Sequence, residues 1–192
     1  MSLLDSLRRA LEVAAAAGHR SALVGGLAVS ARSEPRFTRD ADLVVAVDSD
    51  AEAEALVSAF VHRGYRLQAL LEQSGVGRLS GARLIDPDGV EIDLLTASSG
   101  IEAEVVAAAD DVDLVDGLTV RLAATGHLIA LKLLSVAPGR ETDRVDLRAL
   151  ARVADVREWQ RAESAVSLIT TRGFHRGRDL ISDLAALRAD SW

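Results

Sequence analysis

Cysteine is absent from the 192 residues, and that one absence excludes disulfides, thiolate metal sites, iron-sulfur clusters and a cysteine nucleophile. A chain without cysteine suits a reducing compartment, and a cytoplasmic setting is the expectation. Aromatic residues are scarce at 3% against 49% hydrophobic overall, so the core must be built from Leu, Val, Ile and Ala. Lysine occurs once, at Lys132, and arginine supplies the remaining positive charge. No apolar run is long enough to span a bilayer. The opening "MSLLDSLRRALEVAAAAGHR" carries Asp5, Arg8, Arg9 and Glu12 at helical spacing, which predicts an amphipathic helix rather than a signal peptide. There is no repeat and no low-complexity linker.

The length allows one substantial domain, or a domain with a smaller helical appendage. With 22 basic and 29 acidic residues the formal charge is -7, which disfavours non-specific wrapping of a long nucleic acid while permitting a local basic groove. The densest basic cluster is Arg172, His175, Arg176 and Arg178, either a helix-linking turn or a contact for an RNA acceptor. His19, His62, His127 and His175 lack ligand spacing and are assigned no role. The acidic "ADDVDLVD" lacks the glycine and glutamate of a calcium loop and reads as an exposed hairpin.

Periodicity predicts a buried strand at "SALVGG", a helix at "LAVSAR", a strand at "ADLVVAVD" and a capped helix at "SDAEAEALVSAFVHRG". Strands follow at "YRLQALLE", "GRLSGARLI" and "VEIDLLTA", the last two a hairpin around the turn residues "DPDG". A short helix at "IEAEVVAAAD" precedes a second hairpin around Asp116-Gly117. From Thr125 the period is helical, with a break at Pro138-Gly139. The expected organisation is therefore a mixed α/β part over residues 1–123 and a helical part over 124–192 packed on it.

Three carboxylates stand out. Asp40 and Asp42 leave the same face of one strand, and Asp93 interrupts an otherwise apolar one, where an acid is costly unless a partner compensates it. Hard oxygen donors on one sheet face suit Mg²⁺, which completes its shell with water and substrate phosphates. Gly25 and Gly26, at a strand-to-helix junction, would expose amides to a phosphate chain. Each feature also has a plainer reading. The glycines can be a tight turn and the aspartates a solvated edge. Lys132 can snorkel, Asp143 and Asp146 can pair with Arg144 and Arg148, and Arg36 and Arg39 can neutralise the neighbouring acids.

Taken in order, these residues resemble the AbiEii-type (MenT-like) nucleotidyltransferases of the DNA polymerase beta-like superfamily. The resemblance rests on Gly25-Gly26, on an R-x-T-x-D-x-D stretch (Arg36, Thr38, Asp40, Asp42) and on a third acid, Asp93. It extends to "LIALKLLS" with Lys132 and "DRVDLRAL" with Asp143 and Asp146, and so covers roughly residues 20–150. It implies an α+β nucleotidyltransferase fold, a mixed sheet flanked by helices and followed by a C-terminal helical bundle. It implies an NTP substrate such as ATP, with Mg²⁺ or Mn²⁺ held by Asp40, Asp42 and Asp93, the last either binding the catalytic metal or aligning the attacking hydroxyl. Gly25, Gly26, Arg36 and Thr38 would bind phosphate, Lys132 would meet triphosphate charge, and Asp146 would orient Lys132 or the acceptor. Gly26 replaces the family's usual serine, and Thr142 takes a position often basic.

The implied activity is transfer of NMP to a hydroxyl on RNA, such as tRNA, or on protein, within a toxin-antitoxin or defence pair that includes a cognate antitoxin. The alternatives are a catalytically silent binding module and a small-molecule, aminoglycoside-type nucleotidyltransferase.

Overall fold

The structure is a computed structural model that describes residues 2–73, 75–115, 117–137, 139 and 141–189. Asp116 of the second hairpin and Pro138 of the helix break lie outside the described residues.

The first helix, α1 (Leu3–Ala16), opens on a capping box in which the Ser2 hydroxyl accepts from the Asp5 amide and the Asp5 carboxylate accepts from Ser2. It buries Leu7, Ala10, Val13 and Ala14 against the sheet. Strand β1 (Ser21–Val24) is buried at every position and runs directly into α2 (Gly25–Arg32). The helix therefore includes both glycines, where the sequence pattern placed its start at Leu27. Strand β2 (Asp40–Val45) follows, then α3 (Asp50–His62), capped by Ser49.

Next come β3 (Arg66–Gln73), β4 (Arg78–Ile85) and β5 (Glu91–Leu95), then α4 (Glu102–Ala107), β6 (Asp110–Val115) and β7 (Leu118–Leu122). Four helices close the chain: α5 (Thr125–Ser135), α6 (Glu141–Val153), α7 (Val156–Thr171) and α8 (Leu180–Arg188).

All strands join one seven-stranded mixed sheet in the order β3-β4-β5-β2-β1-β7-β6. β2 runs antiparallel to β1 and parallel to β5, and β5 forms the expected hairpin with β4. Asp86 fixes that turn by accepting from the amides of Asp88 and Val90, both at 2.9 Å. The register then sets Val24, Asp42, Asp93, Arg83 and Ala69 side by side across five strands. At the far edge, the acidic β6 lies along solvent as an ordinary hairpin strand.

One buried cluster serves both parts of the chain, joining Leu23, Leu43 and Leu94 of the sheet to Leu128, Leu147 and Ile169 of the late helices. Gly126 lets α5 press on α7, since a Cβ there would stand 2.2 Å from the Glu158 carbonyl oxygen. The architecture is the expected one, a mixed sheet flanked by helices with a helical C-terminal run. Among the described residues, no helix is long and apolar enough to cross a membrane.

Candidate active site

Strand alternation puts Asp40 and Asp42 on one face of β2, and the parallel register makes Asp93 the direct neighbour of Asp42. The three acids thus meet on one face, as their spacing predicted. Desolvation, then the charges of Asp40 and Asp93, push the Asp42 carboxyl up to about 7, against opposing effects from Lys132 and the Gly26 amide. Thr38 donates its hydroxyl to Asp40 Oδ1 at 2.5 Å.

The glycine turn is built around the same carboxylate. Gly25 has φ +64°, and a Cβ there would sit 1.7 Å from Asp42 Oδ2, so only glycine admits the Asp42 side chain. The Gly26 amide donates to Asp42. Both glycines border the cavity, yet here their first service is to seat an aspartate.

Behind the acids lies a second set of charges. Lys132 Nζ reaches Asp143 Oδ1 and Asp146 Oδ2, each at 2.8 Å, and Arg36 holds Asp146 at 2.7 and 2.9 Å. The two aspartates are 2% and 1% exposed, so the lysine is embedded in carboxylates rather than snorkelling. Arg36 therefore couples the stretch before β2 to α6 and does not neutralise Asp40 or Asp42. Arg39 lies over the Phe37 ring instead. The same network bears on Gly26: a Cβ there would stand 2.6 Å from Arg36 Nη2, so the serine usual in the resembled family would have to displace the end of the Arg36 side chain.

One central residue escaped the sequence reading. Arg83 on β4 grips Asp93 with both arms of its guanidinium, Nε to Oδ1 at 2.9 Å and Nη2 to Oδ2 at 2.7 Å, and also reaches Glu91 at 3.1 Å. The signal was the "DPDG" turn, which sets the hairpin register and hence places Arg83 opposite Asp93. The loop after β5 was missed as well. Buried Glu102 accepts from the amides and hydroxyls of Ser98 and Ser99 through one oxygen, which shapes a polar wall.

Gly25, Gly26, Arg36, Thr38, Asp40, Asp42, Arg83, Asp93, Lys132 and Asp143 line one cavity of about 450 Å³, completed by Leu71, Leu95, Ser98, Ser99 and Arg176. Asp146 stands behind it. Among the described residues, no three acidic or imidazole groups are gathered closely enough to hold a metal ion together, and both oxygens of Asp93 are engaged by Arg83. Asp40 and Asp42 alone still fit Mg²⁺ or Mn²⁺, which ordinarily take one or two carboxylates plus substrate phosphates. The raised Asp42 carboxyl is the observation in favour, since it marks negative charge that a cation would relieve.

No protein-family model matches the sequence, and no curated protein matches it. Solved structures do match. The solution structure of the antibiotic-resistance factor ANT(2'')-Ia is similar over 97% of this chain and 89% of its own, with 19% identity and a TM-score of 0.53. The crystal structure of ANT(2")-Ia in complex with adenylyl-2"-tobramycin is similar over 100% of this chain and 97% of its own, with 16% identity and a TM-score of 0.52. At these identities the likeness is one of fold. The chain has the nucleotidyltransferase fold.

Proposed function

We propose that the chain is a metal-dependent nucleotidyltransferase that moves NMP from an NTP to a hydroxyl and releases pyrophosphate. The observation that carries this reading is the register row that makes Asp42 and Asp93 neighbours, with Asp40 on the same face, in a cavity bordered by Gly25, Gly26 and Lys132.

Asp40 and Asp42 would hold Mg²⁺ or Mn²⁺, which when bound would supply neutralising charge for the triphosphate. Gly25 and Gly26 seat Asp42 and open α2 at the border of the cavity, so that the positive end of that helix would face the phosphate chain. Lys132, fixed by Asp143 and Asp146, presents positive charge toward the same chain. Arg36 and Thr38 hold the stretch before β2 in place through Asp146 and Asp40. Asp93 is the acid that aligns the attacking hydroxyl; the hydroxyl oxygen bonds to the α-phosphorus as the bond from that phosphorus to the pyrophosphate oxygen breaks, pyrophosphate leaves, and the hydroxyl proton passes to water.

For the acceptor, the sequence resemblance favours RNA such as tRNA, or protein, in a cytoplasmic toxin-antitoxin or defence pair with an antitoxin partner. Two observations favour a small hydroxylated molecule instead. Arg172 and Arg178 of the basic cluster are bonded to Glu104 and Asp183, and the fold is shared over 97% of this chain with an antibiotic-resistance factor. A non-catalytic binding module is favoured by the Arg83 grip on Asp93.

Incubation with each labelled NTP, Mg²⁺, and separate pools of RNA, protein and aminoglycosides tests these readings together. Label transferred to one pool and lost in Asp42→Asn supports transfer and names the acceptor class. NTP binding without transfer to any pool selects the silent module.

A further inference from the structure

The turn between α7 and α8 was singled out in the sequence for its basic residues, and the nucleotidyl-transfer reading leaves it unused. Its members do different things. Arg172 pairs with Glu104 at 2.7 Å and donates to the Gly100 carbonyl, while Arg178 donates to the Val136 carbonyl and pairs with Asp183, both at 2.6 Å. Phe174 lies against Gly100 so closely that a Cβ there would be 2.5 Å from its ring. These contacts pin the turn to the loop after β5 and to the end of α5.

Arg176 sits within that pinned frame, and its backbone is the exception. Among the described residues it is the one non-glycine with positive φ, at +55°, between Gly173 at +82° and Gly177 at +73°. A side chain in the left-handed region is disfavoured, and such strain persists where neighbours over-determine it, commonly at ligand clamps. The conformation sends the guanidinium to the cavity wall, where Nη2 donates to the Ser98 carbonyl at 3.0 Å and the side chain joins the lining that includes Asp40, Asp42 and Lys132. Arg176 nevertheless remains exposed to solvent, at the rim rather than the floor.

We propose that Arg176 is a substrate-binding residue whose guanidinium meets the phosphate chain of the nucleoside triphosphate at the rim of the cavity. The inference rests on the reading of this cavity as a nucleotide site. The cavity already sets Arg36, Arg83 and Lys132 among its aspartates, where carboxylates hold all three, and a guanidinium at the rim adds positive charge where a phosphate chain would enter. A planar guanidinium fork matches phosphate oxygens in geometry as well as charge. The residue is held in a conformation that glycine would adopt without strain, in a turn that already uses glycine on both sides. Arginine at that position is therefore explained by what its side chain reaches.

The test is calorimetric titration of α,β-methylene-ATP with Mg²⁺, and of adenosine, into the wild type, Arg176→Gly, Arg176→Asn and Arg176→Lys, with Tm measured for each. Gly and Asn relieve the backbone, so Tm should hold or rise, by up to about 3 °C. Triphosphate affinity should fall about ten- to a hundredfold in both, with adenosine affinity unchanged and with partial recovery in Arg176→Lys. Equal losses for triphosphate and adenosine, or no loss for either, overturn the inference while leaving the nucleotide site standing. If the wild type binds neither ligand, the nucleotide reading falls and the inference falls with it.

Discussion

Two clusters of charge share this site and are closed in different ways. Behind the cavity, Asp143 and Asp146 face Lys132 and Arg36, two anions against two cations, with the acids nearly sealed from water. On the sheet, Asp40, Asp42 and Asp93 face Arg83, which also serves Glu91. The first cluster is complete within the protein. The second leaves Asp42 pushed up to about 7 by its burial and then by its acidic neighbours. A balanced buried network fixes geometry, whereas an unbalanced one is poised for an added cation.

The largest effect expected from this contrast is at Asp42. On the proposed reading, Asp42→Asn should lower transfer about a thousandfold, measured with labelled NTP, because it removes a carboxylate that would hold the metal ion. The metal-free variant should nonetheless be more stable than wild type above neutral pH. The sign follows from the raised carboxyl. The unfolded chain ionises near the ordinary 3.8 and the folded one only near 7, so rising pH across that window costs the wild type stability, and asparagine escapes the cost.

Asp146 should do the reverse. Asp146→Ala takes from Arg36 the buried acid it grips and leaves Lys132 with Asp143 alone, and denaturant titration should show a loss of about 3 kcal/mol. If both substitutions destabilise alike, the contrast between a closed and an open cluster is broken.

A smaller effect belongs to His127 on α5, which is 6% exposed and lowered to about 4 by burial and by Arg161, against weaker opposing pulls from Glu158 and Glu104. The unfolded imidazole binds a proton below about 6.5 and the folded one only below about 4. Acid therefore favours unfolding through this group, with stability lost as pH falls between those values. Urea titrations at about pH 7.5 and pH 5 should show His127→Gln losing about 2 kcal/mol less than wild type over that step.

The smallest is Gly26→Ser. The new side chain meets the movable ends of Arg36 and Thr38 rather than backbone, so a loss of about 1 kcal/mol is expected by thermal melting. A much larger loss would show that the Arg36–Asp146 pair cannot shift, which sharpens its standing as a rigid joint.

The acids were legible in the sequence because their signals are local. A two-residue spacing on a strand places Asp40 and Asp42 on one face, and a lone acid in "VEIDLL" announces a partner that the chain must supply. Lys132 was legible by rarity. What it pairs with was not, since Arg36 is 110 residues from Asp146 and only the packing of α6 against α2 brings them together.

Arg83 hid in plain alternation. In "GARLI" it looks like the solvent-facing member of a strand, and its meaning depends on the register of the β4–β5 hairpin. The glycine turn was legible as a turn, but that Gly25 clears space for Asp42 required the strand and the helix to be seen meeting.

The central claim is that Asp40 and Asp42 form an incomplete acidic pair that Mg²⁺ and an NTP complete together. Isothermal titration of each of the four NTPs with Mg²⁺ into the wild type, Asp40→Ala and Asp42→Ala tests it most directly. The account predicts metal-dependent binding of at least one NTP by the wild type and its loss in both variants. Binding that neither substitution alters, or no binding by the wild type, would contradict it.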